Sequence, residues 1–194
     1  GKDTPFSDFK GMVAYGKANP GKLNVASYSA GSTAHINAEM LRVAAGIDMV
    51  HVPYKGVADA AKALMSNEVQ LYFDGTANAV TSIKAGTAKG IATATDKRVS
   101  VLPDLPTLAE VGVQGIDIVG WQGFFGPGGM HPDLTSKISA ALAKITKSDE
   151  ISTLIKNQGN EPTGTTSEEF TKIVRDDYER WGAVIKRTGI KLER

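Results

Sequence analysis

Between Ala26 and His35 the chain runs Ala-Ser-Tyr-Ser-Ala-Gly-Ser-Thr-Ala-His, small and hydroxyl residues where an extended pattern gives way to a helical one. At such a junction the first helical N–H groups lack backbone acceptors and the helix dipole is positive. Small residues at Ala30 and Gly31 let a ligand approach the backbone, and the hydroxyls of Ser27, Ser29, Ser32 and Thr33 add donors. The chemistry this suits is anion binding without a fixed positive charge. A plainer reading stands beside it, in which Ser32 or Thr33 caps its own helix. Both remain open on the sequence. The segment is neither a nucleotide-binding loop, since no Gly-Lys-Ser/Thr follows the glycine, nor a Gly-x-Ser-x-Gly elbow.

His51-Val52-Pro53-Tyr54-Lys55-Gly56 is a second strand-to-helix turn. Pro and Gly shape it and Tyr54 packs, or else Tyr54 or Lys55 approaches a ligand beside the first loop. Leu71-Tyr72-Phe73-Asp74-Gly75 ends an apolar run on an acid. A carboxylate at the carboxyl end of a strand in an α/β sheet lies on the ligand side. Next to an anionic ligand Asp74 repels unless water, an ammonium group or a proton intervenes, which makes it a selector for the ligand's far end. It can instead cap the following helix.

Catalytic groupings are poorly supported. His35 and Glu39 are four apart on one helix face, but a third metal ligand has no candidate, so a surface pair or a satisfied histidine is the better reading. No Ser/His/Asp grouping appears by spacing, and Asp176-Asp177 reads as a solvated pair. No metal or cofactor is expected. The chain is expected to bind and carry rather than catalyse.

Composition narrows the classes further. Lys and Arg number 22 against 21 Asp and Glu, a net charge of +1 that offers no footprint for nucleic acid. With no cysteine there are no disulfides, thiol catalysis or zinc–thiolate sites. No stretch approaches the apolar length that spans a bilayer. The first residues carry no signal peptide, so one is expected to be absent or removed.

The elements that must position these residues alternate. Residues 6–19 read as helix, 23–27 as strand, and 32–45 as a helix whose Ile36, Met40 and Val43 share a buried face. Residues 49–52, 69–73 and 91–95 read as strands, with helices over 57–66 and 76–85. Such alternation predicts an α/β fold, a parallel or mixed sheet flanked by helices. Trp121-Gln122-Gly123-Phe124-Phe125-Gly126-Pro127 reads as a strand leaving this unit. Three helices are predicted after it, the last carrying Phe170, Ile173, Val174, Tyr178, Trp181, Val184 and Ile185 on an apolar stripe, with Thr166-Ser167-Glu168-Glu169 as its cap. The expected domains are 1–118, a ligand-binding lobe, and 119–194, a crossover strand and helices with few strands of their own to cover.

These motifs, taken together and in order, resemble the substrate-binding proteins of tripartite tricarboxylate transporters (the Bug, or TctC, family). The resemblance is carried by Ala26-Ser27 through Gly31-Ser32-Thr33-Ala34-His35 and by Val50-His51-Val52-Pro53-Tyr54-Lys55-Gly56. Asp74, Leu102-Pro103-Asp104-Leu105-Pro106-Thr107, Trp121 and the closing helix from Phe170 to Gly189 carry it further. It spans essentially the whole chain.

The resemblance implies a periplasmic receptor of two α/β lobes that close on a small organic carboxylate and pass it to membrane permease subunits. It implies ligand contacts from the loop of Ser27, Ser29, Ala30, Gly31, Ser32 and Thr33, with Asp74 and Tyr54 nearby. Tyr28 and Ala30 stand where the family commonly has smaller or amidic residues. The family's N-terminal segment, with its signal peptide and a Gly-Gly ligand loop, has no counterpart in this sequence. The chain is therefore expected to be a fragment: one complete periplasmic-binding-protein-like lobe, plus C-terminal helices belonging to a second, incomplete lobe. Two rivals stay in view. One is an enzyme acting on an anionic substrate through His35, Lys55 or Asp74; the other is an interaction module, such as a dimer of the fragment.

Overall fold

The computed structural model describes residues 1–116 and 120–188. They form two compact units: the described residues of Gly1–Gly120 and Ile185–Arg194 make one, and Trp121–Val184 the other. The domain boundary expected between residues 118 and 119 lies outside the described residues, as does Gly189 at the end of the last expected helix.

In the first unit the helices are α1 (Phe9–Ala18), α2 (Thr33–Ala45), α3 (Val57–Met65) and α4 (Thr76–Lys84), and the strands are β1 (Leu23–Ser27), β2 (Met49–Pro53) and β3 (Leu71–Tyr72). The sheet order is β2-β1-β3 and every pairing is parallel, with Val25 beside both His51 and Leu71. Parallel neighbours need crossovers, which α2 and α3 supply. As the central strand, β1 is almost wholly buried.

Alternation along β1 gives each sheet face its own cover. Ala26 lies in a cluster with Ala60 and Ala63 of α3 and with Val69, and Val52, Tyr54, Leu64 and Tyr72 pack around it. On the opposite face Leu23 meets α1 at Gly16, where an added Cβ would come within 2.8 Å of the Leu23 side chain and 3.2 Å of Ile47. That closeness is what the glycine permits. Asp8 caps α1 by accepting from the Gly11 N–H at 2.7 Å.

Four expectations change. The stripe of α2 buries Ile36 and Met40, but Val43 is 59% exposed. The helix ends at Gly46 in the left-handed region, and burial passes to Ile47, whose N–H reaches back to the Arg42 carbonyl. The strand over 91–95 reduces to a single parallel bridge between Thr93 and Thr107. Thr93 N–H donates to Pro106 O and Leu108 N–H to Thr93 O, both at 2.8 Å, and Pro106 has no N–H with which to extend the ladder. The strand over 69–73 shortens to Leu71–Tyr72, because at Gln70 the side-chain oxygen, not the backbone, accepts from Asn24 N–H at 2.9 Å. Residues 121–127 form no strand, since two glycines and a proline in seven residues weaken pairing.

The second unit carries α5 (Pro132–Thr146), α6 (Asp149–Asn157) and α7 (Ser167–Thr188). The expected cap of α7 is a reciprocal box: Thr166 N–H donates to Glu169 Oε2 at 2.8 Å and Glu169 N–H to Thr166 Oγ1 at 3.2 Å. Trp121, Phe125 and Phe170 cluster, Trp121 edge-on to Phe170 at 4.9 Å between centroids. Trp121 Nε1 donates to Asp177 Oδ2 at 2.7 Å, so Asp177 is not the merely solvated acid that was expected. Tyr178, expected on the apolar stripe of α7, is 81% exposed, and α5 and α6 bury no residue.

Candidate functional site

The loop between β1 and α2 gathers Ser27, Ser29, Ala30, Gly31, Ser32 and Thr33 into one turn, and its hydrogen bonds divide their duties. Ser27 is fully buried and its Oγ donates to the Ser29 carbonyl at 2.9 Å. A hydroxyl has one proton, so in the 2.6 Å contact between Ser27 Oγ and His51 Nε2 the ring nitrogen is the donor. Ser32 is the cap of α2: its Oγ accepts from His35 N–H at 3.4 Å and donates to the Ser29 carbonyl at 2.7 Å. Gly31 sits at φ +75°, a conformation glycine adopts freely, and its N–H donates to His35 Nδ1 at 3.0 Å. The Thr33 hydroxyl bonds to the Tyr28 hydroxyl. Ser29 and Ala30 are exposed.

What remains is a pair of donors. In the first turn of α2 the N–H groups of Thr33 and Ala34 have no acceptor among the described residues. They lie at the positive end of a helix of 13 residues with no acidic residue in its first turn. An anion with two oxygens suits such a pair.

Neighbouring turns fix the loop from the side. Tyr54 N–H donates to Ser27 O at 2.8 Å and Gly56 N–H to Tyr28 O at 3.1 Å. The Tyr54 side chain is engaged elsewhere: its hydroxyl donates to Glu68 Oε1 at 2.7 Å, and burial and the Glu68 carboxylate push its pKa up to about 12. With Lys55, Lys62 and Glu68 it lines a separate open cleft of about 480 Å³.

Asp74 follows β3, the strand beside β1. The register pairs Ala26 with Tyr72, so two residues further Tyr28 and Asp74 leave the sheet side by side. Asp74 Oδ1 accepts from Gly75 N–H at 2.8 Å and from Asn78 Nδ2 at 3.4 Å. Burial raises the Asp74 pKa, against the lowering effect of these bonds. The Tyr72 hydroxyl is buried without a hydrogen-bond partner, and burial, then Asp74, then Tyr28 push its ionisation up. Two phenols and a carboxyl thus share one edge of the sheet.

The spacing of residues missed one relationship. His35 and His51 stack, ring centroids 3.7 Å apart and planes within 3°. Burial lowers the His35 pKa, with Glu39 opposing; burial, and then His35, lower that of His51 to about 4. Both rings are therefore neutral at pH 7. Glu39 pairs with Arg42 at 2.8 Å, and no group of three metal-ligating side chains occurs among the described residues.

A sequence profile of the tripartite tricarboxylate transporter family receptors matches residues 1–190. A UPF0065 protein of Bordetella pertussis is 28% identical over 189 residues, which is 97% of this chain and 58% of that protein. A structure from R. palustris solved with adipate superposes with a TM-score of 0.92 at 28% identity, over 97% of this chain and 63% of that one. A second, MatC from Rhodopseudomonas palustris with bound malate, gives 0.79 at 26% identity, over 95% and 64%. The chain thus spans little more than half the length of that curated relative.

Proposed function

The chain belongs to the tripartite tricarboxylate transporter receptor family, and from that premise we propose that it takes part in capturing a small organic carboxylate. One observation carries this reading: the two uncommitted N–H groups of Thr33 and Ala34 at the positive end of α2, beside the Tyr28–Thr33 hydroxyl pair. A carboxylate there takes a hydrogen bond from each amide and a third from Thr33. Ser29, Ala30 and Gly31 bring little bulk to the approach, Ser27 and Ser32 hold the turn from within, and Tyr54 supports it through its backbone N–H. Asp74, with the Tyr72 hydroxyl, holds water or the ligand's distal group. Adipate and malate in the two structural relatives support a carboxylate as the ligand class.

In this reading residues 1–118 make a ligand-binding lobe, and 119–194 return to another lobe of the whole receptor. The receptor works in the periplasm, delivers its ligand unchanged to the permease subunits and catalyses nothing.

Titration calorimetry of the intact protein with adipate, malate and glutamate, followed by NMR of the recovered ligand, tests the proposal. Saturable binding with unaltered ligand is expected. Chemical conversion of the ligand, or no heat with any of the three, overturns it.

A further inference from the structure

Gly31 directs its N–H to His35 Nδ1, and Ser27 receives the Nε2–H of His51, so one buried and one half-buried ring hold the two ends of the same turn. We propose that His35 is the positioning residue of the carboxylate loop, with His51 stacked behind it as its brace. The inference rests on the receptor reading above and adds residues to it that touch no ligand.

The proton count supports the assignment. Nδ1 of His35 accepts, so the neutral ring carries its proton on Nε2. His51 donates to Ser27 Oγ, Ser27 donates to Ser29 O, and the same carbonyl takes the Ser32 hydroxyl at 2.7 Å and the Ser32 N–H at 3.3 Å. One ring thus fixes Gly31, and the other fixes Ser27 and, through it, Ser29 and the cap of α2. Parallel stacking at 3.7 Å means that neither ring can shift or tilt alone.

Both rings must be uncharged for this. A proton on His35 Nδ1 sets a donor against the Gly31 N–H and removes the bond. The group of opposite charge acting on both rings is Glu39, already engaged by Arg42 one turn further along α2; Ser27 meets the pair from β1 with a neutral hydroxyl.

Amide exchange at Gly31, read by NMR on the intact protein, decides the proposal, with adipate titrations alongside. In the wild type Gly31 is expected to be protected relative to the intrinsic exchange rate at pH 7 and to lose that protection once the pH falls well below the ordinary histidine range. His35→Asn places an uncharged acceptor near the Nδ1 position, so protection is kept at both pH values. His35→Leu has no acceptor, and both protection and adipate affinity fall about tenfold. If His35→Leu does not fold, the pH-independent protection of His35→Asn still decides. Fast Gly31 exchange in the wild type at pH 7, or adipate affinity unchanged in folded His35→Leu, overturns the inference. Absence of adipate binding by the wild type counts against the receptor reading alone, since the Gly31 amide reports on the positioning role without ligand.

Discussion

The hydroxyls of Tyr28 and Thr33 are bonded to each other across the turn that carries Gly31. Each has one proton, so one of them keeps its proton for another acceptor. If Tyr28 donates, Thr33 is left to donate to a ligand, with its oxygen already polarised. Thr33→Val is then expected to weaken carboxylate binding by about 1.5–3 kcal/mol, the worth of a hydrogen bond to a charged group. Tyr28→Phe should cost less, about 0.5–1.5 kcal/mol. The two losses should fail to add in a double-mutant cycle, measured by calorimetry with adipate. Strict additivity would mean that the pair does not act on the ligand as a unit.

In the proposed reading Asp74 governs which ligands are tolerated. Asp74→Asn keeps the oxygen that accepts from Gly75 N–H and removes the charge. Glutamate, which carries an ammonium, should lose about tenfold relative to adipate, since a charge-assisted bond becomes a neutral one. Competition titrations of the two acids on the variant give the ratio. An unchanged ratio would take Asp74 out of the ligand's reach.

His51 makes stability fall in acid. Its pKa is about 4 in the folded chain against an ordinary 6.5, so between those values the unfolded chain binds more proton. The contribution is complete above about pH 6.5 and is lost as the pH drops toward 4. After allowance for solvent screening of a half-buried ring it amounts to about 1–2 kcal/mol. Urea midpoints across that window should fall in the wild type and fall less in His51→Gln.

In the second unit, a Cβ at Gly123 would overlap the Phe170 ring. Gly123→Ala should therefore displace that ring from Trp121 and cost about 1–3 kcal/mol through overpacking. Tryptophan emission and thermal unfolding measure the change. Gly182→Ala, whose Cβ meets nothing within 4 Å, is the control: it should leave the emission unchanged and, lying inside α7, should not lower the unfolding temperature.

The turn that caps α2 was legible because its signal is local. Small and hydroxyl residues at a strand-to-helix junction announce both the cap, which Ser32 forms, and the spare amides, which Thr33 and Ala34 supply. The parallel α/β arrangement was legible from alternation alone. The histidine pair was not, because His35 and His51 meet only when β2 pairs with β1 in register and α2 covers the same face. Spacing on one helix left His35 as either a surface pair with Glu39 or a satisfied histidine; Glu39 went to Arg42, and His35 is satisfied by the Gly31 N–H. The commitment of Tyr54 to Glu68 likewise depends on how α3 ends, which residue types do not reveal. Val43 and Tyr178 were misplaced because a helical stripe says which residues share a side, not how far the neighbouring structure extends along it.

The turn after β1 separates support from choice. Its ends are tied down by Ser27, Gly31 and Ser32, while the side chains of Ser29 and Ala30 stand exposed and make no hydrogen bond among the described residues. In the proposed reading, substitutions at those two positions alter what the approaching molecule meets without loosening the turn. A lineage could then retune its diet there, one residue at a time, on an unaltered frame.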